Sequence, residues 1–397
     1  MRNFSKLLVL TPKCSPFIIG PLNSMSNEFD EINILLNHNY LTELAHLPLK
    51  GYFSHVRKFT KSHICKWHNK PDNIRIYISS MLYLTPDANN LDLGDKIFRN
   101  FKNVIESKNI EFDLIDAHFT WPSGYVGAKL KEEYCVPLVV SAEGYDIYDL
   151  PFRSDDWKKK VEYTLNSADQ IITVSQSNLK CINKLDVTTP VTIRPNGFDN
   201  KYIHPMNKLE CRKNLNLPLN KKIILSVGNL STVKGHEYLV NAMKKVLKIR
   251  KDIICIIVGS GPLEAKIKNL IQSLDLKNHM FLVGEKPHKD IPLWMNSADV
   301  FVLPSLNEGN PNVMFEALAT GLPFIGTKVG GVPEIIISNK LGILSEPGND
   351  NELADNILVA LEMEWDTKKI IGYANKFTWD NIANTIFDVY EKISNNK

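Results

Sequence analysis

The run Ile253-Ile254-Cys255-Ile256-Ile257-Val258 leads directly into Gly259-Ser260-Gly261-Pro262. An apolar run this short, with no polar residue alternating through it, reads as a strand covered on both faces and closed by a glycine turn. The pattern recurs along the chain. In the first half it appears at Lys6–Leu10, Asn33–Leu36, Ile74–Ser79, Asp113–Ala117, Pro137–Ser141 and Gln170–Val174, and in the second at Ile223–Val227, Met280–Val283 and Asp299–Leu303. Longer helical patterns lie between them, so the strands are parallel with crossover helices: an α/β, doubly wound, Rossmann-like architecture whose ligand sites lie at the carboxyl ends of the strands. The Pro/Asn/Gly-rich turn around Arg194-Pro195-Asn196-Gly197 interrupts the series and marks a domain boundary. At 397 residues two such domains are expected, 1–196 and 197–377. The last segment carries Ile382, Ile386, Phe387 and Tyr390 at helical spacing, a terminal helix at about 378–397 able to pack back on the first domain or stay with the second.

Composition excludes several classes. A net charge of +3 gives no support for a nucleic-acid binder. The six cysteines form no CxxC pair, so neither a zinc site nor a disulfide framework is expected, and a reducing, cytoplasmic setting fits. Leu7–Leu10 is stopped by Pro12, too short for a signal-peptide core. No apolar run reaches the roughly 20 residues needed to span a bilayer. The stretch 54–75 carries Arg57, Lys58, Lys61, Lys66, Lys70 and Arg75 with Phe59 and Trp67. It reads either as a solvated face or as a peripheral contact with anionic lipid.

Ser305–Gly321 concentrates the chemistry. Asn310 suits an N-cap, Pro311 the first helical position and Gly321 a left-handed helix stop, which leaves the amides of Asn312 and Val313 as donors for an anion such as phosphate. Glu308 and Glu316 bracket the turn; taken alone, the first reads as a dipole partner beside the helix start and the second as a solvated helix residue. Gly228-Asn229-Leu230-Ser231-Thr232-Val233-Lys234-Gly235 places a lysine in another post-strand loop, like a phosphate cradle but without P-loop spacing. Gly259-Ser260-Gly261 lacks the full dinucleotide fingerprint and by itself reads as a tight turn.

These motifs, in this order, resemble glycosyltransferase family 4. The resemblance is carried by Val227-Gly228-Asn229-Leu230 with Lys234-Gly235, by Val258–Pro262, by the Asp299–Ser305 strand, by Glu308 and Glu316 with seven residues between, and by Gly330-Gly331-Val332-Pro333-Glu334. Asn196-Gly197 with Asp199 is similar to the family's interdomain turn. The resemblance is specific from about residue 190 onward. It implies a GT-B fold, two Rossmann-like domains facing each other across a cleft, with the second binding a uridine or guanosine diphosphate sugar and no metal or further cofactor. On that pattern Lys234 meets the diphosphate together with amides near Asn312 and Val313, and Gly228, Asn229, Gly259, Gly261, Gly309, Asn310 and Pro311 belong to the same donor-binding set. Glu316 holds the ribose, Glu308 faces the sugar, and the main chain of Glu285-Lys286-Pro287 reads the base. Asn229 stands where the family usually has arginine, so the charge on the leaving group rests more heavily on Lys234.

In the first half, Gly20, His118, Glu143 and Asp146 are similar to positions on the acceptor side. Glu143 stands where many members carry histidine, and reads either as an acceptor-hydroxyl contact or as a surface acid. His118 reads equally as a structural hydrogen-bonder. The activity implied is a retaining, metal-independent transfer of sugar to a hydroxyl of a glycan or lipid-linked acceptor, with Lys234 and Glu308 as the catalytic residues. A sugar-nucleotide epimerase of GT-B type, or a noncatalytic sugar-nucleotide or glycan-binding protein, are the alternatives.

Overall fold

The computed structural model describes residues 4–46, 57, 59–85 and 87–395. Two compact units emerge, Met1–Pro195 with Trp379–Lys397, and Asn196–Thr378. The first contains β1 (Lys6–Leu10), β2 (Glu31–Asn39), β3 (Ile74–Met81), β4 (Leu114–His118), β5 (Leu138–Ala142), β6 (Gln170–Thr173) and β7 (Val191–Ile193). They form one parallel sheet in the order β3-β2-β1-β4-β5-β6-β7. The second contains β8 (Lys222–Val227), β9 (Ile253–Val258), β10 (Met280–Leu282), β11 (Val300–Leu303), β12 (Phe324–Thr327) and β13 (Gly342–Ser345). Its parallel order is β10-β9-β8-β11-β12-β13. Each sheet therefore winds outward in both directions from a central pair, β1 and β4 in one unit, β8 and β11 in the other.

Both faces of each sheet are buried, which is why the strands read as unbroken apolar runs. Along β8, Ile223, Leu225 and Val227 enter one core while Ile224 enters the other. Along β1, Leu8 and Leu10 face one core and Leu7 and Val9 the opposite one. Each such side chain contributes roughly 1.5–3 kcal/mol relative to exposure. β12 and β13 are not legible in the sequence: each is four residues long and carries a glycine.

The terminal helix Trp379–Asn395 belongs to the first unit. Its Trp379, Ile382, Ile386 and Tyr390 join the core formed by Ile18, Leu22, Ile32 and Ile34. Gly20 makes this approach possible. It lies inside the helix Pro16–Met25, and a Cβ there would sit 2.2 Å from Trp379 Cδ1. Gly20 thus lies in a helix, with an indole ring in the space that a side chain would take.

Candidate active site

The centre of the second sheet fixes the site. Chains leaving β8 and β11 turn in opposite directions, and a crevice opens where such a pair diverges. The loop after β8 supplies Lys234 and the loop after β11 supplies Glu308. Lys234 Nζ lies 2.5 Å from Glu308 Oε1, and Ser305 Oγ donates to the same oxygen at 2.6 Å. Thr327 Oγ1, ending β12, donates to the Ser305 carbonyl at 2.5 Å. Glu308 is buried, with its carboxylate oriented by a cation and a hydroxyl.

Glycine permits this convergence of loops. Gly235 has φ +63°, and a Cβ on it would lie 2.0 Å from the Pro304 carbonyl oxygen. Gly330 has φ +52°, and its Cβ would lie 1.7 Å from the Glu308 carbonyl oxygen. With that space empty, Leu306 N bonds Val233 O at 2.7 Å and Gly331 N bonds Gly309 O at 2.8 Å. On the other side, Gly228 N donates to Val258 O, and Gly259 N donates to Gly284 O, both at 3.0 Å. Leu230 N donates to Ser260 O at 2.9 Å, and a Cβ on Gly261 would meet Leu230 O at 2.5 Å. The loops after β8, β9, β10, β11 and β12 are consequently one main-chain-bonded rim.

Asn229 is exposed on this rim and brings no charge. His236 follows Lys234 and Gly235 but is buried; burial first, then Lys234, pull its pKa down to about 4, so it is neutral. Lys286 is turned toward the Trp294 ring, 5.8 Å from its centroid. Glu285 accepts a hydrogen bond from Ser260 Oγ at 2.9 Å, and Pro287 leads into a short 3-10 turn, His288–Asp290. Lys234 is thus the cation that the rim turns toward Glu308.

The helix after the rim spans Asn312–Ala319 and stops at Gly321, φ +79°. The expected N-cap at Asn310 and helical Pro311 are corrected. Pro311 takes the cap position with extended ψ 121°, and Asn310 is engaged elsewhere. Its Oδ1 accepts from Asn196 N at 3.0 Å and its carbonyl accepts from Asn196 Nδ2 at 2.8 Å. The amides of Asn312 and Val313 open the helix, where no intrahelical carbonyl precedes them. Glu316, within the helix, is buried, and His288 Nε2 lies 2.8 Å from its Oε1. Sequence reasoning missed His288; a histidine one residue beyond the Glu285-Lys286-Pro287 turn was the available signal. Burial lowers the His288 pKa, but Glu316 and then Asp199 outweigh it and the net shift is upward.

The first unit places His118 and Glu143 together and Asp146 beside them. His118 Nδ1 is 2.8 Å from Glu143 Oε1, and its Nε2 is 3.3 Å from Asp116 Oδ2. Tyr390 Oη donates to Asp116 at 2.7 Å, and Arg194 stands 4.0 Å from Glu143. Burial opposes protonation of His118, but Asp116 and Glu143 override it and push its pKa up to about 10. Two carboxylates, an imidazolium and a guanidinium therefore form a charge-balanced buried cluster. Glu143 is not the surface acid of one reading, being 9% exposed. Asp146 is fully buried and accepts from the amides of Thr120 at 2.8 Å, Gly144 at 2.7 Å and Glu143 at 3.2 Å. Its carboxylate ties the turn of Glu143 and Gly144 to the loop at Thr120.

A separate cavity of about 360 Å³ lies at the amino ends of β8, β11 and β12, lined in part by Lys208, Met295, Asp299, Pro323 and Trp365. Asp299 there is committed to Arg212 and to the Ile223 amide, both at 2.7 Å. The cavity is at the opposite edge of the sheet from Lys234 and Glu308.

Two all-parallel doubly wound sheets in one chain are the architecture of the GT-B fold. Residues 207–377 match the family model of group 1 glycosyl transferases, and residues 61–202 match that of glycosyltransferase family 4. An uncharacterized glycosyltransferase of Methanocaldococcus jannaschii is 31% identical over 300 residues, covering 74% of this chain and 78% of its own. The chain belongs to glycosyltransferase family 4 and is an enzyme of that type. Among solved structures, sucrose-phosphate synthase of Thermosynechococcus elongatus superposes with a TM-score of 0.79 at 20% identity, over 99% of this chain and 100% of its own. Anabaena HepE, in complex with UDP, gives 0.71 at 20% identity over 98% and 100%. Among the described residues, no helix is long and apolar enough to cross a membrane.

Proposed function

We propose that the chain is a retaining, metal-independent glycosyltransferase that moves a sugar from a nucleoside diphosphate donor to a hydroxyl of a glycan or lipid-linked acceptor. The observation that carries this is the Lys234–Glu308 pair at the divergence of β8 and β11, beside the first amides of the helix Asn312–Ala319. A lysine and oriented amides stabilise negative charge as it develops on a departing diphosphate, the task a divalent ion performs in other transferases. The HepE complex with UDP supports a uridine donor.

In the proposed reaction the bond from the anomeric carbon to the diphosphate oxygen breaks as the acceptor oxygen bonds to the same face. The acceptor proton passes to the departing phosphate. Lys234 exchanges Glu308 for the diphosphate, and Glu308, still held by Ser305, faces the positive charge at the anomeric carbon. The exposed Arg57, Lys61 and Lys66, with Phe59 42% exposed, support peripheral contact with an anionic membrane at the cytoplasmic face. Residues 54–56 and 58 of that stretch lie outside the described residues.

Incubation with UDP-, GDP- and ADP-sugars and candidate acceptors, followed by NMR of the product, tests the reading. One donor should be consumed with retained anomeric configuration and without added metal. An inverted product, or conversion of a donor to an epimer without acceptor, would overturn it.

A further inference from the structure

The helix Asn312–Ala319 begins without a side-chain cap, although the residue best suited to cap it, Asn310, stands just before it. An N-cap does two things. Its carbonyl accepts the first intrahelical bond, and its side-chain oxygen accepts from the amide two or three residues on. At Asn310 one residue takes both acceptors. Asn196 Nδ2 donates to the Asn310 carbonyl at 2.8 Å, and Asn196 N donates to Asn310 Oδ1 at 3.0 Å. Both asparagines are buried, so water competes little for these bonds. Among the described residues Asn310 Nδ2 has no partner, which leaves the bond from Asn196 N as the one that holds this side chain.

The local sequence favours a different state. With Asn310 as cap and Pro311 as first helical residue, the helix would start one residue earlier. Met314 N would then bond Asn310 O, and Asn310 Oδ1 would take the amide of Asn312 or Val313. Instead Pro311 is extended, with ψ 121°, and Met314 N bonds Pro311 O at 3.1 Å. Asn312 and Val313 are only half-buried. We propose that Asn196 is a positioning residue of the donor site: by occupying both cap acceptors of Asn310 it keeps the amides of Asn312 and Val313 free for the diphosphate, amides that a self-capped helix would consume. The inference rests on the diphosphate reading above. It adds a residue that touches no substrate yet sets whether the anion site is open.

Two measurements on the full-length chain test this. Amide hydrogen exchange over residues 312–316 needs no ligand. Asn196→Ala frees the Asn310 carbonyl, so exchange at Asn312 or Val313 should slow about three- to fivefold, near the factor a cap bond supplies. Asn196→Asp, which keeps the shape but cannot donate to that carbonyl, should do the same. Calorimetric titration with UDP, GDP and ADP should show an affinity loss of about the same size for whichever binds wild type, because only the uncapped fraction is competent. Adding Asn310→Ala to either variant deletes the competing cap and should return affinity to within about twofold of wild type. A clasp that merely braces the loop predicts the opposite, since the double variant has lost more of it. Exchange unchanged in both single variants, or no recovery in the double variant, would overturn the inference while leaving nucleotide binding by wild type intact. A wild type that binds none of the three nucleotides overturns the diphosphate reading, and the role of Asn196 with it.

Discussion

Lys234 and Glu308 form an ion pair whose members are expected to part on substrate binding. With Asn229 uncharged and His236 neutral, few groups on the rim can replace the lysine. Lys234→Ala should lower turnover on the order of 10²–10³-fold, as loss of a preorganised electrostatic donor does. Its urea midpoint should stay close to wild type, since the side chain is partly solvated. Steady-state rates alongside denaturation check both. His118 carries a different expectation. Its folded pKa of about 10 lies above the ordinary 6.5, so protonation favours the folded state. That stabilisation is complete below about pH 6.5 and is lost as pH rises toward 10. The difference in unfolding free energy between wild type and His118→Gln should therefore shrink from pH 6 to pH 9.5; a difference constant with pH would contradict the cluster's charge state.

At the scale of elements, the site is a set of loop contacts that glycine makes possible. Gly330→Ala places a Cβ against the Glu308 carbonyl at a left-handed backbone position. It should cost at least about 1–3 kcal/mol from the backbone conformation alone, read from urea unfolding, and reduce activity by displacing the Glu308 loop. The strands β1, β8, β9 and β11 were legible because burial on both faces leaves unbroken apolar runs. β12 and β13 were not, because Gly326 and Gly342 dilute runs of only four residues. The loop position of Lys234 and Glu308 followed from the order of elements, whereas their 2.5 Å contact depends on strand order, which no local pattern encodes. Asn310 illustrates the limit of local rules: an intrinsically good N-cap is drawn instead to Asn196, 114 residues away in sequence. The same holds for Asp146, whose amide donors come from both its own turn and Thr120.

At the scale of the molecule, each unit has its own sheet and two cores, and the chain's last helix completes the first unit rather than the second. Trp379→Ala would leave a void beside Gly20 and should destabilise that unit by about 3–5 kcal/mol, measured as a lowered first transition in chemical unfolding. The second unit keeps its full set of strands and all the residues assigned to the nucleoside diphosphate. Equilibrium binding of UDP, GDP and ADP to the wild type and to Lys234→Ala bears most directly on that assignment. One of the three nucleotides should bind the wild type and bind the folded variant at least about tenfold more weakly; undiminished binding by the variant, or binding of none of the three by the wild type, would contradict the assignment.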